Sequence, residues 1–269
     1  MIFLTLLAEF TKKYGQQHLT IFFEIIFFLS KVVKTKIDFH YSRNSKIDFS
    51  IRKFKKMCKQ YFFQGKPLAH ITKHMKFCDL DFSIKKKVLV PRDNTEKMTR
   101  DFIQQFQKIK NRNVVDLCCG CGAIGLSIKK HLPTFQIVCI DKYIRPIINT
   151  RLNAHKLKAK IKIVKTDVFK YLSKQRKLDL IISNPPYINK MTFINKKMLQ
   201  WESKKALFAR NNGYAFYDYF FSWLKNHNFQ QCWLEYGFEQ KQTLKTKLKK
   251  ISNLKFAFKK NNYVIIEHQ

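Results

Sequence analysis

From residue 97 to the end of the chain, apolar runs typical of buried strands alternate with helical patterns. Strands are predicted at residues 113–117, 136–141, 160–164, 178–183 and 229–235, and helices at 97–109, 122–130, 144–156, 214–226 and 239–250. Two more strand-like runs, 254–258 and 262–267, predict a C-terminal antiparallel hairpin. The pattern predicts an α/β fold, a doubly wound, mostly parallel seven-stranded sheet that ends in this hairpin.

The first part of the chain has a different period. Residues 1 to about 60 carry apolar side chains at three- and four-residue spacing, which predicts helices joined by Lys-rich connections. Between residues 77 and 95 the period changes to two, which predicts a β-hairpin with strand-like residues up to Val88, Leu89 and Val90. We therefore expect a helical domain at 1–75, a β-hairpin linker at 76–95 and an α/β domain at 96–269.

The charge balance is unusual, because 53 Lys and Arg face 18 Asp and Glu and leave a formal charge of +35. Such a field attracts polyanions, including nucleic acids. Lysines are scattered through every segment, however, and the abundant Lys, Phe, Ile and Asn all have A/T-rich codons. This pattern favours a base-composition bias of the genome over a dedicated nucleic-acid surface.

Cysteine usage and hydropathy indicate a protein of the reducing cytoplasm with no membrane association, and we expect it to be a monomer. The seven Cys are odd in number, and Cys118, Cys119 and Cys121 crowd together without the paired spacing of a metal site, so no metal is predicted. The N-terminus lacks a basic n-region and a cleavage site. The longest apolar run, 19–29, is short for a membrane span and contains Glu24, so it predicts a buried helix.

A glycine-rich turn follows the first predicted strand of the sheet, in Asp116-Leu-Cys-Cys-Gly-Cys-Gly-Ala-Ile-Gly. Such a turn between a strand and a helix lets backbone approach a ligand and points helix N–H groups at it. Asp141 ends the next predicted strand, where a carboxylate can accept both ribose hydroxyls of a nucleoside cofactor. The two features together predict a nucleoside site.

The strand Leu-Asp-Leu-Ile-Ile-Ser is followed by Asn184-Pro185-Pro186-Tyr187. A planar NH2 group is a poor nucleophile because its lone pair is delocalised. The Asn184 side-chain oxygen can accept one of its hydrogens and the Pro185 carbonyl the other, while Tyr187 packs over the planar group. This motif predicts methyl transfer to an amide or amino nitrogen held at the carboxyl end of a strand.

Together the turn, Asp141 and Asn-Pro-Pro-Tyr resemble class I S-adenosylmethionine-dependent methyltransferases that act on planar nitrogen. Gly65-Lys-Pro-Leu-Ala-His-Ile and Val88-Leu-Val-Pro-Arg-Asp-Asn-Thr-Glu96 are similar to segments of the HemK/PrmC family, which methylates class I peptide-chain release factors. Trp201-Glu202, Ala206 to Ala209 with Gly213, and Leu234-Glu-Tyr-Gly237 also resemble that family. The resemblance spans residues 65–269 and is weaker in the helical N-terminus.

The resemblance implies transfer of methyl from S-adenosylmethionine to the glutamine of a Gly-Gly-Gln motif, with the helical domain recognising the substrate. The cofactor residues that it implies are Cys118, Cys119, Gly120, Cys121, Gly122, Asp141, Asp167, Val168 and Asn184. The implied substrate-binding residues are Asn184, Pro185, Pro186 and Tyr187, and of these Asn184, Pro185 and Tyr187 are the catalytic ones.

Two departures from the family pattern concern the cofactor. Cys118 stands where relatives have glycine, which strains the loop if a positive φ is required there. Val168 offers less stacking surface than the aromatic residue of relatives. Two other functions stay open: adenine N6-methylation of nucleic acid, and a non-catalytic binding protein whose degenerate loop no longer holds cofactor. Arg92 and Glu96 either pair with each other or shape the rim of the site.

Overall fold

The computed structural model describes residues 3–30, 50–189, 191 and 199–268. The chain divides into two compact units, residues 1–73 and 74–269. The helical pattern expected within residues 31–49 lies outside the described residues.

The first unit is helical over its described residues. Its helices are α1 Phe3–Tyr14, α2 Leu19–Ser30, α3 Ile51–Phe62 and α4 Leu68–Thr72. Their apolar faces meet in a core that includes Leu6, Phe10, Phe22, Ile25, Phe54 and Met57. The run at 19–29 forms a helix, as expected, but only one face of it is buried: Phe22, Ile25 and Ile26 lie in this core, while Thr20 and Glu24 are exposed. No described helix has the length and apolar character that a membrane crossing requires.

The second unit is built on a seven-stranded sheet. Its strands are β3 Asn113–Leu117, β4 Gln136–Asp141, β5 Lys162–Lys165, β6 Lys177–Ser183, β9 Asn228–Glu235, β10 Leu254–Phe258 and β11 Tyr263–His268. The order across the sheet is β10-β11-β9-β6-β3-β4-β5, and only the pairs that include β11 are antiparallel. The predicted fold class is confirmed.

Helices connect these strands. They are α5 Asp93–Phe106, α6 Ala123–His131, α7 Ile144–Lys156, α8 Val168–Leu172, α9 Lys204–Leu207, α10 Ala215–Asn226 and α11 Lys241–Lys249. From β3 the chain first moves outward through β4 and β5 and then returns to β6 on the other side. Right-handed crossovers in both directions place helices on both faces and leave a crevice between β3 and β6.

The predicted hairpin is shorter than its pattern suggested. It pairs β1 His74–Phe77 with β2 Leu80–Ser83, and the strand expected at 88–90 is wrong. Val88 and Val90 are buried, which explains the alternating pattern, but the Val90 N–H donates to the Glu202 carboxylate (3.1 Å) and joins no strand ladder. Alternation therefore reported burial here and not strand pairing.

Helix α5 begins four residues earlier than the sequence pattern predicts, at Asp93. Its first turn carries Asp93 and Glu96, whose charges are favourable at a helix N-terminus. This early start brings Thr95 into the helix and next to the ends of β6 and β9.

Candidate active site

The parallel strands β3, β4, β5, β6 and β9 deliver polar residues to one edge of the sheet, because their carboxyl ends all point the same way. The residues that follow or end these strands are Cys118, Asp141, Asp167, Asn184 and Glu235. The crevice between β3 and β6 lies at the same edge. The structure thus brings the predicted cofactor turn and the Asn-Pro-Pro-Tyr segment to neighbouring strand ends.

The glycine-rich turn winds through three residues of positive φ. Cys118 has φ 61°, Gly120 φ 60° and Gly122 φ 80°. The position at which the family pattern has glycine therefore does use the left-handed region, and its Cys side chain costs about 1–2 kcal/mol there. The sequence predicted strain only if Cys118 needs a positive φ, and the structure has that positive φ.

Side chains of α7 fasten the turn. The Thr150 hydroxyl donates to the Gly120 carbonyl (3.1 Å), and the Asn153 amide donates to the Cys121 carbonyl (2.9 Å). Burial raises the pKa of the Cys121 thiol to about 12, so this sulfur stays protonated. Among the described residues, no three His, Cys, Asp or Glu side chains are grouped so as to hold a metal ion.

Asp141 faces this turn from the end of β4. Its carboxylate accepts the N–H groups of Gly120 (3.2 Å) and Tyr143 (2.9 Å). Burial raises its pKa to about 6, against the lowering effect of these backbone donors. A Cβ atom added to Gly120 would have no neighbour within 4 Å, so the turn borders open space beside a carboxylate. That space is suited to a ligand that carries hydroxyl groups.

Asp116 is a second acidic residue at this end of β3, and it was not among the predicted site residues. Its Oδ2 accepts the Gly125 N–H (3.0 Å), while its buried Oδ1 has no hydrogen-bond partner among the described residues. Burial raises the pKa of this carboxyl to about 7. Its place at the start of the glycine-rich segment was the available sequence signal.

Asp167 and Val168, expected to flank an adenine ring, begin α8. Asp167 Oδ1 accepts the Phe169 N–H (2.9 Å) and caps the helix, while Oδ2 pairs with Lys142 (2.9 Å). The Val168 side chain is buried in the main core. Capping and packing thus engage both residues, and their role towards the adenine stays a prediction.

The Asn-Pro-Pro-Tyr segment leaves β6 at the crevice. The Asn184 amide nitrogen donates to the Thr95 hydroxyl (2.9 Å), which in turn donates to Glu235 Oε2 (2.6 Å). The Tyr187 hydroxyl donates to the other carboxylate oxygen, Oε1 (3.2 Å). Pro185 is buried and Pro186 is half-buried.

Thr95 and Glu235 are buried members of this cluster, at 3% and 1% exposure, that sequence reasoning did not assign to the site. Both lie in segments that resemble the family, the first before Glu96 and the second within Leu234-Glu-Tyr-Gly. In the sequence both segments carry the family resemblance, but neither marks Thr95 or Glu235 as a site residue. What they lacked was any sign that residues so far apart in sequence meet at Asn184.

The end of the Asn-Pro-Pro-Tyr segment and the two residues after it are held by further contacts. Strand β7, Ile188–Asn189, pairs in parallel with β8, Phe208–Ala209. The Gln240 amide donates to the Tyr187 carbonyl (3.2 Å) and to the Gly213 carbonyl (3.3 Å). A Cβ at Gly213 would lie closer than 3.0 Å to the Tyr187 carbonyl oxygen, so only glycine allows this approach.

Arg92 and Glu96 do not pair with each other. Arg92 donates to Glu202 (2.6 Å), a carboxylate with 0% side-chain exposure, and Glu96 pairs with Arg100 (2.7 Å). The positive charge of Arg92 opposes the rise that burial causes in the pKa values of Glu235 and Tyr187. Arg92 therefore places a positive charge near the Asn184 cluster, whereas Glu96 is paired with Arg100.

Comparison with known proteins shows to which family and fold this chain is similar. Residues 86–212 match the family "Methyltransferase small domain". A solved structure, the T. thermophilus 16S rRNA methyltransferase RsmC in complex with AdoMet and guanosine, superposes with a TM-score of 0.52 over 73% of this chain and 49% of that chain. The identity is 14%, so this likeness shows a shared fold.

Two curated relatives are named release factor glutamine methyltransferase. The Clostridium botulinum protein is 32% identical over 157 residues, which are 56% of this chain and 56% of that protein. The match therefore spans little more than half of its length. The Buchnera aphidicola protein is 32% identical over 209 residues, 76% of this chain and 70% of the relative. On that extent of similarity, the chain belongs to the release factor glutamine methyltransferase family.

Proposed function

We propose that this protein methylates the side-chain amide nitrogen of the glutamine in the Gly-Gly-Gln motif of class I release factors, with S-adenosylmethionine as the methyl donor. The observation that carries the proposal is the Asn184 amide, anchored through Thr95 beside a glycine-rich turn and Asp141. Family membership supports the same substrate. We further propose that the enzyme acts as a monomer in the cytoplasm, where translation terminates.

The cofactor fits the turn on two counts. The space beside Gly120 admits a ligand close to backbone, and each Asp141 oxygen has a further lone pair for a ribose hydroxyl. When bound, S-adenosylmethionine supplies an electrophilic methyl group on a positively charged sulfur. Cys118 to Gly122, Asp167, Val168 and Asn184 complete the proposed cofactor site.

The chain's own residues would orient the substrate amide. The Asn184 side-chain oxygen and the Pro185 carbonyl accept its two N–H hydrogens, so that its nitrogen faces the methyl group, and Tyr187 with Pro186 packs against its plane. No strong base is required at the outset, because the nitrogen becomes acidic once it is alkylated. Catalysis would therefore come mainly from positioning.

The helical unit is the proposed grip on a separate surface of the release factor. It contains a groove of about 1020 Å³. It is lined by apolar residues and by five lysines against one acidic residue, Glu9, which pairs with Lys55 (3.4 Å). The apolar residues are Leu6, Phe10, Tyr14, Phe54 and Phe63, and the lysines are Lys12, Lys13, Lys55, Lys56 and Lys59. This combination matches a partly apolar, acidic surface. Lys56→Glu with Lys59→Glu should weaken release-factor binding and leave the affinity for S-adenosylmethionine unchanged.

The proposed activity is tested by incubating the purified protein with methyl-labelled cofactor and class I release factors. We expect label in the release factor, and none after Gln→Ala at the Gly-Gly-Gln motif. Label that survives this change would refute the substrate assignment, and transfer to adenine in nucleic acid would support the alternative enzyme. Calorimetry without measurable S-adenosylmethionine binding would support a non-catalytic protein.

A further inference from the structure

The side chains of Asn184, Thr95 and Glu235 form a directed chain of hydrogen bonds behind the predicted substrate pocket. Their donor–acceptor distances are 2.9 Å from Asn184 Nδ2 to Thr95 Oγ1 and 2.6 Å from Thr95 Oγ1 to Glu235 Oε2. We propose that Thr95 is a positioning residue that sets which end of the Asn184 amide faces the pocket, and so makes the site select a carboxamide over a carboxylate. This inference rests on the proposed function.

The direction of the chain begins at Glu235. An ionised carboxylate only accepts hydrogen bonds, so the Thr95 hydroxyl must donate its single hydrogen to it. The Thr95 oxygen is then left as an acceptor, and the group that approaches it from Asn184 must be the NH2. Because the amide is planar, its oxygen points away from Thr95 and is available to a substrate N–H.

The charge state that this direction requires is supported by the surroundings of Glu235. Burial raises its pKa to about 7, while the hydroxyls of Thr95 and Tyr187 and the positive charge of Arg92 oppose that rise. The nearby Tyr187 and Tyr217 have pKa values raised by burial above their ordinary values and stay neutral. Above pH 7 Glu235 is therefore the anionic end of the chain.

The same carboxylate fixes the second side chain of the pocket. Its Oε1 accepts the Tyr187 hydroxyl (3.2 Å), and the Glu235 backbone carbonyl accepts the Tyr217 hydroxyl (2.7 Å). Thr95 itself lies in the first turn of helix α5, so the helix backbone fixes where its side chain begins. The Asn184 amide and the Tyr187 ring are thus oriented before a substrate arrives. Such preorganisation is the condition for strong discrimination between substrates.

The consequence is a specific preference between glutamine and glutamate. With its oxygen towards the pocket, Asn184 accepts a hydrogen from a substrate amide but meets the oxygen of a carboxylate with a second acceptor. Without the Thr95 hydroxyl, the Asn184 amide can rotate and present its NH2 to a carboxylate. A site that leaves buried polar groups unpaired with the wrong ligand rejects that ligand strongly.

The test uses Thr95→Val, which keeps the branched shape and removes the hydroxyl, with Thr95→Ser as the conservative variant. Binding of a release factor and of its Gln→Glu form is measured at pH 8 in the full-length protein, together with kcat and KM. We expect the wild type to prefer the glutamine form at least about tenfold, and Thr95→Val to reduce that preference to about twofold with a fall in kcat. Thr95→Ser should recover most of both losses.

The matched control is Thr99→Val, which removes a buried hydroxyl from the same helix, one turn away from the cluster. It should leave the glutamine preference unchanged. A double-mutant cycle adds the test of indirect action: in an Asn184→Ala background, Thr95→Val should have little further effect on the preference. Equal loss in both backgrounds would mean that Thr95 does not act through Asn184.

An arm without substrate separates this inference from the proposed function. In the wild type, the Asn184 side-chain N–H that bonds Thr95 should exchange slowly in amide NMR, and Thr95→Val should abolish that protection. A folded Thr95→Val protein with unchanged protection, or with the full glutamine preference, overturns the role of Thr95. Absence of methyl transfer by the wild type would instead refute the proposed function, whatever the NMR shows.

Discussion

Replacing Gly213 by alanine tests how closely the chain supports the Asn-Pro-Pro-Tyr segment. Gly213 has φ 93°, and an added Cβ would lie within 3.0 Å of the Tyr187 carbonyl oxygen, which is backbone and cannot rotate away. Gly120 offers a matched comparison in the same unit. It has φ 60°, and an added Cβ would meet nothing within 4 Å.

The two changes share one cost and differ in another. An alanine at positive φ costs about 1–2 kcal/mol of folding free energy at either position. Forced contact with neighbouring backbone adds about 1–3 kcal/mol for Gly213 alone. Because 1 kcal/mol corresponds to about 2–4 °C in a domain of this size, Gly213→Ala should lower Tm by about 2–12 °C more than Gly120→Ala.

The two variants should also differ in which function they impair. Gly213→Ala displaces Tyr187, so it should lower kcat/KM about tenfold while S-adenosylmethionine affinity changes little. Gly120→Ala puts a methyl group into the open space beside Asp141, so it should raise the Kd for S-adenosylmethionine. Thermal denaturation, calorimetry and single-substrate kinetics on both variants give the answer. Equal Tm values for the two variants would show that the close contact at Gly213 carries no cost, and the reasoning would fail.

Three further predictions concern buried and capping carboxylates. Burial raises the pKa of Asp116 and Glu235 to about 7, so between about pH 4 and 7 the folded state binds more protons than the unfolded state. The free energy of unfolding should fall by a few kcal/mol as pH rises through that range, and Asp116→Asn should flatten the slope measured by urea denaturation. Asp167→Ala should cost about 1 kcal/mol through loss of the α8 cap, and Asp167→Asn much less; equal losses in denaturation would contradict the capping role. Glu202→Ala should cost about 1–3 kcal/mol, because it leaves Arg92 and the Val90 N–H without their carboxylate, and an unchanged urea midpoint would argue against that pairing.

The order of strands and helices in the second unit was readable from the sequence because hydrophobic periodicity is a local property. Strands β3 and β4 and helix α7 begin and end where the pattern placed them. Short elements such as α8 and β7 were missed, since they are set by capping and pairing more than by periodicity. The false strand at 88–90 has the same origin, because burial and pairing were not distinguishable there.

By itself the sequence determined the α/β architecture and which strand ends carry Asp141 and Asn184, since both follow from local pattern and from the common direction of parallel strands. Tertiary structure alone decided the partners of those residues. Thr95 and Glu235 reach Asn184 from separate parts of the chain. The hydrogen bonds among these three side chains join residues that are far apart in sequence. A polar side chain leaves no periodic trace of its distant partner, so the orientation of the Asn184 amide became visible only in the folded chain.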